Sequence, residues 1–121
     1  MSKRSTIAMT PMPEFGYDPI PLILSGEKVH TLRKQRCHGQ KEVCVKGKRT
    51  GIVLEFHSHV EMTIDEFLTQ DFARADGFHN TYVTRAWENL MLFLEHFYGK
   101  VPETMWRNHF VIVQQPEEET E

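Results

Sequence analysis

The spacing of apolar residues changes period several times along the chain, and each change marks an element. Ile7-Ala8-Met9 reads as a short first strand, followed by a proline-rich loop from Pro11 to Tyr17. Asp18-Pro19 reads as a helix start, with aspartate at the cap and proline at the first helical position. Ile20, Leu22, Ile23 and Leu24 carry that helix to Gly26, a suitable terminating glycine. Val29 to Arg33 alternates as a strand, with Val29, Thr31 and Arg33 on one face and His30 and Leu32 on the other. Glu42 to Lys46 and Ile52 to Val60 form a hairpin around a turn from Gly47 to Gly51. In the second of these strands Leu54, Phe56, Ser58 and Val60 share the core face, and Glu55, His57, His59 and Glu61 the polar one.

The period then lengthens. Thr63 with Glu66 three residues later fits a capping box, opening a short helix from Ile64 to Asp71. Phe72 to Phe78 reads as a linker with an Asp76-Gly77 turn. Asn80 is expected to cap a longer helix to Tyr98, in which Val83, Ala86, Trp87, Leu90, Met91, Leu94, Phe97 and Tyr98 keep helical spacing. Gly99 ends it, and Met105 to Gln114 is the last strand. Short strands with few helices predict an α+β fold: a mixed sheet closing into a small barrel of about five to six strands, with helices capping its ends. The predicted domain covers residues 1–115, and residues 116–121 are expected to be an acidic, disordered tail.

Composition narrows the class. A chain of 121 residues fits one core, and 40% hydrophobic with 26% charged residues is a globular profile. No apolar run approaches the roughly 20 residues that span a bilayer, and prolines interrupt the N-terminal stretch before any signal-peptide core. Two cysteines, Cys37 and Cys44, are too few for a disulfide framework. Together these features predict a cytoplasmic protein. The net charge of -3 hides an asymmetry: up to Gly51 there are ten basic residues against four acidic ones. A basic front half attracts phosphates, unless the two signs interleave on the folded surface.

Several chemistries fall away. His57 with His59, or Cys37-His38 with Cys44 read as a core residue, offer no paired metal-ligand spacing, so neither metal nor cofactor is expected. Cys37 has Arg36 and His38 beside it, which favours a thiolate, yet neighbours on an extended chain point apart. Gly26 and Gly47 are isolated and open no phosphate loop.

The polar cluster from Ser25 to Arg33 is more informative. A threonine becomes a nucleophile only with a base nearby, and a lysine is that base only if burial or a second cation lowers its pKa. Lys28 and Thr31 are three residues apart, Arg33 shares the strand face of Thr31, and Asp76 is the best-placed carboxylate to complete the set. Spacing alone leaves the other reading open: a surface lysine, a strand threonine and an arginine paired with a structural acid.

An apolar helix, then Gly26, Lys28, Thr31 and Arg33 resembles the G-x-K-x-x-T-x-R signature of the ASCH domain superfamily, small PUA-like β-barrels. The likeness extends through the Gly47–Gly51 hairpin, the Asp76-Gly77-Phe78 turn, Tyr98-Gly99 and the last strand, from Ile7 to Val113. It implies a cleft for RNA or a nucleoside-like ligand, lined by Gly26 and Arg33, with Tyr17, Phe15 or Trp106 stacking on bases. The nearest branch hydrolyses N4-acetylcytidine with a lysine base, a threonine nucleophile and a glutamate proton donor. Those roles fall on Lys28, Thr31 and Asp76, an aspartate one methylene shorter than the glutamate. The alternatives are a non-catalytic RNA-binding module and, ranked lower, a ribonuclease. No membrane partner is expected.

Overall fold

Among the described residues, five strands make one mixed sheet in the order β1-β3-β4-β5-β2. In chain order they are β1 (Thr6–Ala8), β2 (His30–Arg33), β3 (Gly39–Val45), β4 (Lys48–Thr63) and β5 (Thr104–Gln114). The helices are α1 (Pro19–Ser25), α2 (Ile64–Phe67), α3 (Gln70–Ala75) and α4 (Ala86–Tyr98). This computed structural model describes residues 4–116, so the acidic tail predicted beyond Pro116 lies outside the described residues. Only β1 and β3 run parallel; the other neighbours are antiparallel.

The fold class is α+β, but the barrel does not close. The sheet curls through about 205° and leaves β1 and β2 as facing edges, with helices capping the half-barrel. Across this seam the Arg33 guanidinium donates to the Ala8 carbonyl at 2.7 Å, a side-chain bond where a closed barrel has a backbone ladder. Three residues of β1 and four of β2 are too short to pair along a full edge.

β4 runs 16 residues through the middle of the sheet and serves two cores. Ile23 of α1 packs with Ile7, Met9, Val43, Ile52, Leu54, Phe56 and Phe110. On the other side, Phe67, Phe72, Phe78, Leu90 and Leu94 from the helical half pack with Leu32, Met62 and Met105. The hairpin turn is tighter than predicted: Val45 pairs with Lys48 around Lys46-Gly47, both with positive φ, the geometry that matches strand twist. Gly51 therefore sits within β4.

A register shift between Phe56 and Ser58 breaks the regular alternation in β4 before Met62 is buried again. Val60 is consequently 42% exposed rather than in the core. His57 and His59 end on opposite faces, because His57 lies parallel to the His109 ring while His59 bonds the adjacent Asn108. Cys37 is the buried cysteine and Cys44 the half-buried one, and burial pushes the Cys37 thiol up rather than down. Among the described residues no cluster of three or more histidine, cysteine or carboxylate side chains is placed to hold a metal ion, and no helix is long and apolar enough to cross a membrane.

The helical half departs most from the pattern. The helix predicted from Ile64 to Asp71 breaks after Phe67, because Thr69 caps a new helix by accepting the Phe72 N–H at 3.2 Å. The expected linker is thus largely α3. The long helix starts at Ala86, not at Asn80, and Val83 is 83% exposed. Asn80 still caps it from a distance, its side-chain oxygen accepting the Ala86 N–H at 2.9 Å. Asn89, buried within α4, donates to the His79 carbonyl and accepts from Thr84, so residues 79–84 form a pinned loop rather than a first turn.

Candidate functional site

Gly26 ends α1 with φ +85°, and the Lys28 N–H then bonds back to the Leu22 carbonyl at 2.9 Å. That tight reversal sends the Lys28 side chain inward, where it is 1% exposed. Its ammonium donates to the His30 carbonyl at 2.8 Å, to the Asp76 carbonyl and to Asp76 Oδ1 at 3.1 Å. Three oxygens match the three N–H bonds of an ammonium.

Asp76 caps the C-terminus of α3, so its carbonyl is among those a helix leaves unpaired, where a cation is favoured. Gly77 follows with φ +109°; a Cβ there would crowd Tyr17 at 3.2 Å and Lys28 at 3.5 Å. The turn is tied to the N-terminal loop by an Asp18 N–H bond to the Gly77 carbonyl and a bridge between Tyr17 and Phe78. Asp18 accordingly starts α1 without a side-chain cap.

His30 completes the buried cluster. Its Nδ1 lies 3.4 Å from the same Asp76 oxygen without forming a hydrogen bond, and its ring stacks on Phe72 at 4.7 Å. Burial acts to raise the Asp76 pKa, but Lys28 and the contact from His30 outweigh it and hold the carboxyl below its ordinary value. For Lys28, burial is the largest influence and pushes the pKa down, opposed by Asp76 and aided by Arg33. Burial also drives the Tyr17 phenol well above its ordinary value, so it stays protonated.

The Asp76 shift has a testable sign. An unfolded aspartate titrates near 3.8 and the folded one lower. Its stabilising contribution is complete above about pH 5 and is lost as pH falls through the folded value. Urea midpoints followed toward acid should therefore fall less steeply for Asp76→Asn than for the parent. Equal acid slopes would show that this carboxyl is not the group whose pKa is depressed.

A cavity of about 230 Å³ opens at the seam. Ala8 and Thr10 line it from the β1 side, Thr31 and Arg33 from β2, Asp76 and Tyr17 from the turn, and Phe93, Phe97 and Tyr98 from α4. Arg33 Nε donates to Thr31 Oγ1 at 3.3 Å, holding the hydroxyl against the guanidinium. Thr31, Arg33, Asp76 and Tyr17 thus share one wall. Lys28 stands behind Asp76 and is not among the lining residues, and neither are Gly26 and Trp106. Gly26 shapes the chain reversal, whereas Trp106 pairs with Arg33 across β2 and β5 and lies beneath the Arg36 guanidinium. Phe15 packs against Phe93 and His96 beside the cavity wall.

Two buried polar residues carry no signal in the short motif. His30 sits between Lys28 and Thr31 as one of two residues the motif leaves unspecified. Asn108 is fully buried in β5; it accepts the Cys37 N–H at 2.8 Å and donates to the Gln35 carbonyl at 3.1 Å, fixing the loop after β2. An amide inside an apolar strand is the one hint the sequence offers for it.

No model of a known protein family matches the sequence, and no curated protein matches it. Solved structures do. A crystal structure of a protein from Enterococcus faecalis aligns over 100% of this chain and 88% of its own, with a TM-score of 0.67 at 14% identity. An ASCH domain from Lactobacillus crispatus aligns over 78% of this chain and 70% of its own, with a TM-score of 0.57 at 23% identity. The chain has an ASCH-like fold. The likeness shows the fold and points to no particular branch.

Proposed function

We propose that the seam cavity binds a nucleoside or nucleotide-like ligand, free or at an exposed position in RNA. The observation that carries this is the state of Asp76. Lys28 bonds Oδ1 and His30 Nδ1 approaches the same oxygen at 3.4 Å, which leaves Oδ2 for a ligand in the cavity that Asp76 lines. A carboxylate held ionised in a buried wall seeks an N–H donor, and the exocyclic amino group of cytosine is such a donor. Thr31 and Arg33 supply a hydroxyl and a cation beside it, and Phe97 and Tyr98 offer faces for stacking.

Hydrolysis of an N-acylated base such as N4-acetylcytidine is the second reading. It is favoured by the Arg33 contact to Thr31, which stabilises a developing alkoxide, and by the burial that lowers Lys28 toward a neutral base. Against it, the three oxygens around Lys28 hold the ammonium form. Binding without turnover is therefore the preferred reading.

Calorimetric titration with cytidine and N4-acetylcytidine tests both. Asp76→Ala should weaken binding about 10- to 100-fold, the size of a lost hydrogen bond to a charged group. Phe97→Ala should weaken it through lost stacking while sparing the buried cluster. A folded protein that binds neither nucleoside, or folded variants that bind as the parent does, would reject the reading. Acetate release from N4-acetylcytidine that disappears in Thr31→Ala would replace it with the hydrolytic one.

A further inference from the structure

Beside the cavity two cations sit over two aromatic rings. Lys34 Nζ is 5.1 Å from the centre of the Tyr98 ring, and the Arg36 guanidinium is 5.1 Å from the centre of Trp106. Both cations are exposed, and neither has a carboxylate partner among the described residues. Both rings are accessible in part. Tyr98 lines the cavity itself, and Trp106 is the cross-strand partner of Arg33, which also lines it. The pairs therefore form a short path leading out of the cavity along the end of β2. Asn108 holds the loop that carries them, through Gln35 and Cys37 on either side of Arg36. The exposed Glu61, opposite Trp106 on β4, is the acidic residue nearest this path in the sheet register.

From this placement we infer that the ligand of the cavity is one residue of a single-stranded nucleic acid, whose flanking nucleotides lie on the Lys34–Tyr98 and Arg36–Trp106 pairs. This rests on the nucleoside reading of the cavity. Alternating cations and aromatic faces suit a strand with a charge and a π-surface in every unit: the ring or the guanidinium plane takes a base, and the positive groups take phosphates. Lys34 and Arg36 sit over two different rings, Tyr98 and Trp106, so they meet successive phosphates rather than the same one. An acidic peptide supplies charge but no succession of large flat rings, and fits the pattern less well.

Fluorescence anisotropy with a short labelled oligocytidine, alongside calorimetry with cytidine, provides the test. The oligonucleotide should bind at least about tenfold tighter than the nucleoside at low salt. The double variant Lys34→Ala/Arg36→Ala should lose that gain, keep its affinity for cytidine, and show a salt dependence of log K shallower by about 1.4, the share of two phosphates. Ribo- and deoxyribo-oligonucleotides of the same sequence distinguish which strand is preferred. Cytidine binding with no gain from flanking nucleotides overturns this inference alone, as does equal competition by oligoglutamate of matched charge. A wild-type protein that binds oligocytidine through these cations but not cytidine overturns the cavity reading and the link drawn from it.

Discussion

Replacing Lys28 with methionine should destabilise the fold by about 3–5 kcal/mol, the range for removing one partner of a buried ion pair. Methionine fills similar space and is tolerated in cores, so packing loss is small. What remains is electrostatic. The Asp76 carboxylate keeps only His30 as a side-chain partner on Oδ1, and the carbonyls of His30 and Asp76 lose their donor. Against the 5–15 kcal/mol total of a typical domain this is a large fraction. Asp76→Asn removes the charge but keeps an acceptor, so it should cost less. The double variant Lys28→Met/Asp76→Asn should be more stable than the two single losses summed, because no uncompensated charge is left buried. Urea unfolding of the four proteins measures the coupling. A Lys28→Met loss below about 1 kcal/mol, the scale of an exposed pair, would contradict the buried geometry.

Phe78→Ala should cost about 3–5 kcal/mol as well, for a different reason. Phe78 is buried two residues after Asp76, with ring centres 4.8 Å from Tyr17 and 5.2 Å from Phe93. Truncation opens a void between the turn and the cavity wall, and neighbours fixed by the Tyr17–Phe78 bridge close it only in part. Phe97 makes a useful control. It is 54% exposed at the cavity mouth, so Phe97→Ala should change stability by less than about 1 kcal/mol while weakening ligand binding. Thermal unfolding of the two variants separates a residue that holds the site in place from one that meets the ligand. Similar melting shifts for both would show that Phe78 does not anchor the turn.

Elements whose signals are local were legible in the chain. Gly26 and Gly99 end helices with left-handed φ, and Glu66 accepts the Thr63 N–H in the expected N-terminal box. The apolar runs of β4 and β5 place both strands, and the resemblance to ASCH domains anticipated the fold that the structural comparisons show. Errors arose where one residue shifted a period. The irregularity at Phe56–Ser58 broke the alternation of β4 and left Val60 exposed, and Thr69 split one helix into two. Asn80 acts as a cap across six residues instead of at the adjacent turn, which local spacing does not distinguish. Barrel closure was overestimated because strand propensity does not reveal how far the sheet curls before β1 and β2 face each other.

By itself, the sequence determined the short apolar helix, the glycine reversal into Lys28, and the alternation that puts Thr31 and Arg33 on one side of a strand. These depend on backbone preferences and periods that operate over a few residues. The tertiary structure alone decided that Lys28 meets Asp76 across 48 residues, that His30 shares the same oxygen, and that the ammonium stands behind the cavity wall rather than in it. It also decided that Arg33 bridges an open seam. Such contacts are set by how the end of α3 docks against the exit of α1. That docking is governed by burial of Phe72, Phe78 and Tyr17, a non-directional force that local spacing does not encode.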